Sequence, residues 1–236
     1  MHKLTISFAI AAFAISLSAQ DMDKILNDHY MASGQDKLAK ISTISSTGKV
    51  VAMGMESPIT MYQSRPGKLR TEMSIMGQKM IQTFNGTTGW IYAPAMGVTT
   101  PQEMGGDELK NLSMQTEINS PLWDYQSRGT KAELAGSSKD GSSHKVKITT
   151  AEGLEMTVFI SKETSLISSI LTSQVVNGME SEIEIKFKDY RQVKGIPAAH
   201  YMAVEMGGQP VSTFTFESIE YDKKLDAALF EKPVVQ

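Results

Sequence analysis

The 236-residue chain has no cysteine. That excludes a disulfide framework, a zinc–thiolate site and a catalytic thiol, and it removes the acceptor for N-terminal lipidation. Histidine is scarce. Beyond His2 there are only His29, His144 and His200, which do not fall at metal-ligand spacing, and neither HExxH nor HxH occurs. There is no GxSxG elbow, no P-loop and no GxGxxG after a strand, and "KDGSS" lacks the acidic repeat of a calcium loop. Glu182 and Glu184 fit a solvated strand face better than a catalytic dyad. The expectation is therefore no catalytic residue, no metal ligand and no cofactor. Basic runs are missing and the formal charge is −3, so nucleic acid is not an expected partner. Past the N-terminus no apolar run approaches the length of a spanning helix, and an integral membrane protein is not expected.

The first residues, MHKLTISFAIAAFAISLSAQ, carry one early lysine, an apolar stretch from Leu4 to Leu17 and then small residues. This is the layout of a secretory signal peptide over 1–19, with cleavage after Ala19 or one residue later. The remainder, 20–236, has the length of a single domain with a sizeable core. A soluble address in the periplasm follows from that layout.

Methionine is abundant: sixteen in all, seven of them between Met53 and Met96. Around "TEMSIMGQKM" (71–80) the flanking composition is that of strands, which do not favour methionine. If Met76 and Gly77 form a two-residue turn, Ile75 pairs with Gln78, Met73 with Met80 and Leu69 with Phe84. Alternation then puts Leu69, Met73, Ile75, Met80 and Phe84 on one face, with Arg70, Glu72, Ser74 and Lys79 on the other. Methionine on such a face is either core filler or the pliable lining of a promiscuous apolar surface.

Asp21 is a plausible N-cap for a helix to about residue 32, with Met22, Ile25, Leu26 and His29 on one stripe. Gln35 to Ile41 allow a further turn or two. Strands follow from Ser42, interrupted by a short helix over 106–117 that carries Leu109 and Leu112; the loop after it holds Trp123. In the C-terminal half Leu154, Met156, Val158 and Ile160 share a face, as do Ile183, Ile185 and Phe187. Turn signals fall at 139–141, 152–153, 177–178, 194–195 and 207–208. The fold expected is mainly β: a curved antiparallel half-barrel of roughly ten or eleven strands, its open side plugged by two or three short helices.

Two segments, "QSRPGKLRTEM" (63–73) and "FNGTTGWIYAP" (84–94), resemble the LolA-like family of periplasmic carriers of outer-membrane lipoproteins. There an Arg-Pro strand end and a hairpin precede a D-G-x-x-x-W-x-Y-x-P segment. Here Asn85 stands in for the aspartate, while Gly86, Trp90, Tyr92 and Pro94 are in place, and "LDAALFEKP" (225–233) resembles the closing segment. The resemblance implies helices lying across the mouth of a half-barrel whose cavity shelters acyl chains. Leu69, Met73, Ile75, Met80, Phe84 and Trp90 become candidate cavity residues, and Arg65, Leu109, Leu112 and Trp123 candidate lid or gating residues. The implied partners are acyl chains of lipids or lipoproteins, and possible envelope proteins. The implied function is a non-enzymatic lipid or lipoprotein carrier; the alternative is a sensor or adaptor that uses the same fold for protein contact.

Overall fold

A computed structural model describes residues 21–52, 54–176 and 179–235. The signal segment expected over 1–19 lies outside them. Among the described residues thirteen strands form one antiparallel sheet: β1 (Thr43–Ala52), β2 (Met55–Ser64), β3 (Lys68–Ile75), β4 (Gln78–Phe84), β5 (Gly89–Ala93), β6 (Val98–Met104), β7 (Lys131–Ser137), β8 (Ser143–Thr149), β9 (Glu155–Ser161), β10 (Ile167–Val176), β11 (Met179–Val193), β12 (Ile196–Met206) and β13 (Gln209–Tyr221). Their spatial order is β6-β5-β4-β3-β2-β1-β13-β12-β11-β10-β9-β8-β7. The chain meanders outward to one edge at β6, crosses to the other edge at β7, and meanders back until β13 pairs with β1. The crossing carries helix α3 (Gly106–Met114), while α1 (21–33) and α2 (Gln35–Leu38) precede the sheet.

The count of thirteen exceeds the ten or eleven expected. Both edge strands carry an irregularity. β6, VTTPQEM, holds Pro101, which an edge strand tolerates because only one of its sides is paired. β7 slips register between Leu134 and Ser137.

The sheet must curl, and α3 shows why. Leu112 packs against Leu69 and Phe84 of β3 and β4, while the neighbouring Asn111 donates from Nδ2 to the Val175 carbonyl of β10 at 3.3 Å. Those strands lie six or seven steps apart, about 30 Å along a sheet with ~4.8 Å between strands. A helix only ~10 Å across reaches both only if the sheet wraps round it. Gly89 permits the approach, since a Cβ there would stand 2.8 Å from Leu109 Cδ1.

On the other half of the sheet, α1 lays Met22, Ile25 and Leu26 against Val146, Ile148, Val158 and Ile160 of β8 and β9. The C-terminal segment binds the sheet separately. Phe230 is buried, Arg70 Nη1 donates to the Leu229 carbonyl at 2.9 Å, and Asn85 Nδ2 donates to Glu231 Oε2 at 3.0 Å. Asn85 Oδ1 meanwhile accepts from the Thr87 and Thr88 amides. An aspartate could supply that turn but not the bond to Glu231.

Candidate functional site

Between the sheet and the helices lies a cavity of about 670 Å³, within the range of small-molecule sites. Its floor comes from β8–β12. On β10, Ile170, Thr172 and Gln174 follow a strict two-residue period, and the register shift between Ile167 and Ser169 brings Ile167 in as well. Met156 of β9 and Ile185 and Phe187 of β11 complete an apolar floor. Its roof comes from Leu38 of α2, Met114 of α3 and Ile118 just beyond. Glu152, Gln174, Lys110 and Asn111 line one end of the cavity, and Gln115, Glu117, Asn119 and Arg128 add polar groups along the roof.

A chain of hydrogen bonds holds the roof to the sheet. Arg65, at the end of β2, donates from Nε to the Ile41 carbonyl at 2.8 Å and from Nη2 to Asn119 Oδ1 at 2.7 Å, with a longer contact to the Leu38 carbonyl at 3.4 Å. Asn119 Oδ1 also accepts from Gln35 Nε2 at 3.1 Å, and Gln35 Oε1 accepts from the Ser120 amide at 3.1 Å. Gln35 is fully buried, so both bonds matter to it. Ser120 Oγ in turn meets His29 Nε2 at 2.9 Å, and His29 Nδ1 meets the Ser165 carbonyl at 2.9 Å. A carbonyl only accepts, so Nδ1 carries the proton, and in the neutral ring Nε2 accepts from the Ser120 hydroxyl. Burial pushes the His29 imidazole below its ordinary pKa, against the opposing pull of the Ser165 bond. Five separate pieces of chain (α1, α2, the loop after α3, the end of β2 and the β9–β10 turn) are thus linked by polar contacts around an apolar space.

No protein-family model matches the sequence, and no curated protein matches it either. Solved structures do. A DUF1329 family protein from Desulfovibrio piger superposes with a TM-score of 0.58 at 15% identity, covering 88% of this chain and 97% of the other. A LolA superfamily protein from Nitrosomonas europaea gives 0.57 at 9% identity over 89% and 97%. A domain assigned to outer-membrane lipoprotein sorting, from Vibrio parahaemolyticus, gives 0.55 at 9% identity over 86% and 93%. The fold is LolA-like. Identities this low carry the fold alone.

Within the LolA-like half-barrel, the residues singled out in the sequence fall into separate places. Arg65 stands at the junction of sheet and roof. Leu109 and Leu112 fix α3 over β3–β6. Trp123 packs edge-on against Tyr30 of α1, ring centroids 5.1 Å apart, beside a shallow depression also lined by Asp23 and Tyr125. The hairpin register is as read: Leu69 opposite Phe84, Met73 opposite Met80, Ile75 opposite Gln78. Leu69, Met73, Ile75, Met80, Phe84 and Trp90 are nevertheless not among the residues lining the 670 Å³ cavity. Leu69 and Phe84 are packed under α3 with Met104, and Met73 joins a mid-sheet cluster with Val50, Ile59 and Phe216. Ile75 and Met80 are half-buried on the hairpin. Trp90 follows Gly89, which faces α3, so alternation turns it to the opposite side of the sheet. The cavity lies instead over the C-terminal half, where the runs 154–160 and 183–187 had marked an inner face. His29 was visible only as part of a helical stripe, and Gln35, Asn119 and Ser120 carried no signal at all, because their roles arise from contacts between distant segments.

Among the described residues no group of three or more His, Cys, Asp and Glu could hold a metal ion, and no helix is long and apolar enough to cross a membrane.

Proposed function

We propose that this chain is a non-catalytic periplasmic binding protein that shelters acyl chains, of lipids or of lipoproteins, in the cavity between β8–β12 and the helices. The observation that carries this reading is the apolar floor of Met156, Ile167, Ile170, Ile185 and Phe187 beneath a roof whose middle is tied down by polar bonds. Moving an acyl chain out of water is worth ~0.8 kcal/mol per methylene, so a long chain gains on the order of 10 kcal/mol. Such a chain does not cross an aqueous compartment unaided, and a shelter for it must also open. Hydrophobic packing would hold a lid shut against an apolar cargo, whereas hydrogen bonds can be exchanged for water at modest net cost.

The test is lipid extraction and mass spectrometry of protein purified from its native envelope. A stoichiometric acylated ligand is expected. Protein that is empty, and that instead co-purifies stoichiometrically with one envelope protein, would favour the sensor or adaptor reading.

A further inference from the structure

Nine large apolar residues stand out as exposed among the described residues, and seven of them sit at one end of the sheet. Met76 occupies the β3–β4 turn and Met96 the β5–β6 connection, 77% and 64% exposed. Val51 and Met55 flank the β1–β2 turn, Val211 follows the β12–β13 turn, and Val175 and Met179 (68% exposed) flank the β10–β11 turn. The pairings put all five tips at the same end: Ala52 is opposite Met55 and Ser212, Met206 is opposite Ile183, and Ile75 is opposite Gln78. The turns at the other end hold no comparably exposed large apolar residue among those described.

We infer that this row of hairpin tips is a surface that docks on a lipid bilayer, dipping single methionine and valine side chains into its interface. Three observations favour a bilayer as occupant. First, the tips spread over ten strands, on the order of 40 Å along the sheet, as isolated apolar side chains on separate turns. A protein partner is usually met by a contiguous packed patch, whereas a fluid interface accepts scattered points. Second, the lysines beside two tips are already paired, Lys49 with Glu56 at 2.9 Å and Lys79 with Glu72 at 2.7 Å, so these two add little attraction for anionic lipid. Third, the cavity reaches this end. Gln174 and Asn111 line it, and Asn111 bonds the Val175 carbonyl beside the β10–β11 tip. A bilayer against the rim therefore lies next to this end of the cavity.

The inference rests on the acyl-binding reading only for the use made of that proximity, and the two fail in different assays. Co-sedimentation with phosphatidylcholine vesicles reads docking; titration of a soluble fluorescent acyl probe reads the cavity. The variants are M76S/M96S/M179S on the rim and M31S, an exposed methionine of α1 away from the rim. Expected is measurable vesicle binding by wild type, unchanged in M31S, reduced at least tenfold in the rim variant, and insensitive to salt. All three should bind the probe alike. Absence of vesicle binding by wild type, equal binding by the rim variant, or an equal loss in M31S would overturn the inference. So would dimerisation of wild type that the rim substitutions abolish, which would assign the tips to a second copy. Loss of probe binding in wild type, with docking intact, would sink the cargo reading instead.

Discussion

Arg65 is the residue on which the roof most depends. Its guanidinium fork satisfies a carbonyl near the end of α2 and the Asn119 side chain together, a geometry that a lysine ammonium cannot reproduce. If loading parts the roof from the sheet, these bonds are lost in the loaded form, and deleting them shifts the balance toward it. Arg65→Leu should therefore lower stability by about 2 kcal/mol in urea denaturation yet retain a bound acyl probe about tenfold longer, as expected from losing its charge-assisted hydrogen bonds to the Ile41 carbonyl and Asn119. Arg191→Leu, whose guanidinium bonds the Asp189 carboxylate on β11 and does not line the cavity, serves as the control and should leave release unchanged. Equal release rates in all three proteins would remove Arg65 from the gate.

His29 carries a pH dependence of definite sign. Burial holds its folded pKa below the ordinary value, so the unfolded chain binds the proton more readily. Stability is then full above about pH 6.5 and falls as acid takes the solution down through the folded pKa. His144, also pushed down by burial, acts in the same direction. Urea midpoints should decrease between about pH 7.5 and about pH 5, and His29→Gln should flatten part of that slope, not all of it. A midpoint that rises on acidification would contradict the neutral Nδ1-protonated ring.

Among the elements, the hairpins were the most legible. The register of β3 and β4 follows from one Met-Gly turn because Met76 and Gly77 both adopt positive φ, 51° and 76°, as a two-residue hairpin turn of this kind requires. The inner faces of β9 and β11 were equally plain from alternation. What stayed hidden was which half of the sheet keeps an open space. That depends on where α3 and the following loop cross, and α3 fills the methionine-rich half through Leu109 and Leu112. Met73 thus became packing on β3, while the less conspicuous Ile170, Ile185 and Phe187 line the cavity. The joint between the two meanders makes a sharp prediction. Gly48 lies at the register shift between β1 and β13, and a Cβ there would run into the Thr215 carbonyl oxygen and stand 2.8 Å from Phe216 Cα. These are backbone atoms that cannot swing aside. Gly48→Ala should cost about 3 kcal/mol or more, whereas Gly97→Ala, with open space but φ of 84°, should cost only about 1 kcal/mol. Comparable thermal midpoints for the two variants would show that the β1–β13 joint is slack.

For the whole molecule, one long sheet curled round a few short helices separates stability from binding. The apolar clusters under α1 and α3 hold the roof at its two sides, and the polar chain from Arg65 to Ser165 spans the middle, above the cavity. Opening is then expected to break hydrogen bonds near α2 and the 115–121 loop while both side clusters stay packed. The most direct measurement is titration of a fluorescent fatty acyl probe into wild type, Ile185→Glu and Met73→Glu, each first checked for a folded circular-dichroism spectrum. The account predicts saturable binding by wild type, loss of at least tenfold in affinity when the charge enters the cavity floor at Ile185, and little change at Met73. Equal affinity in wild type and a folded Ile185→Glu variant, or no saturable binding by wild type, would contradict it.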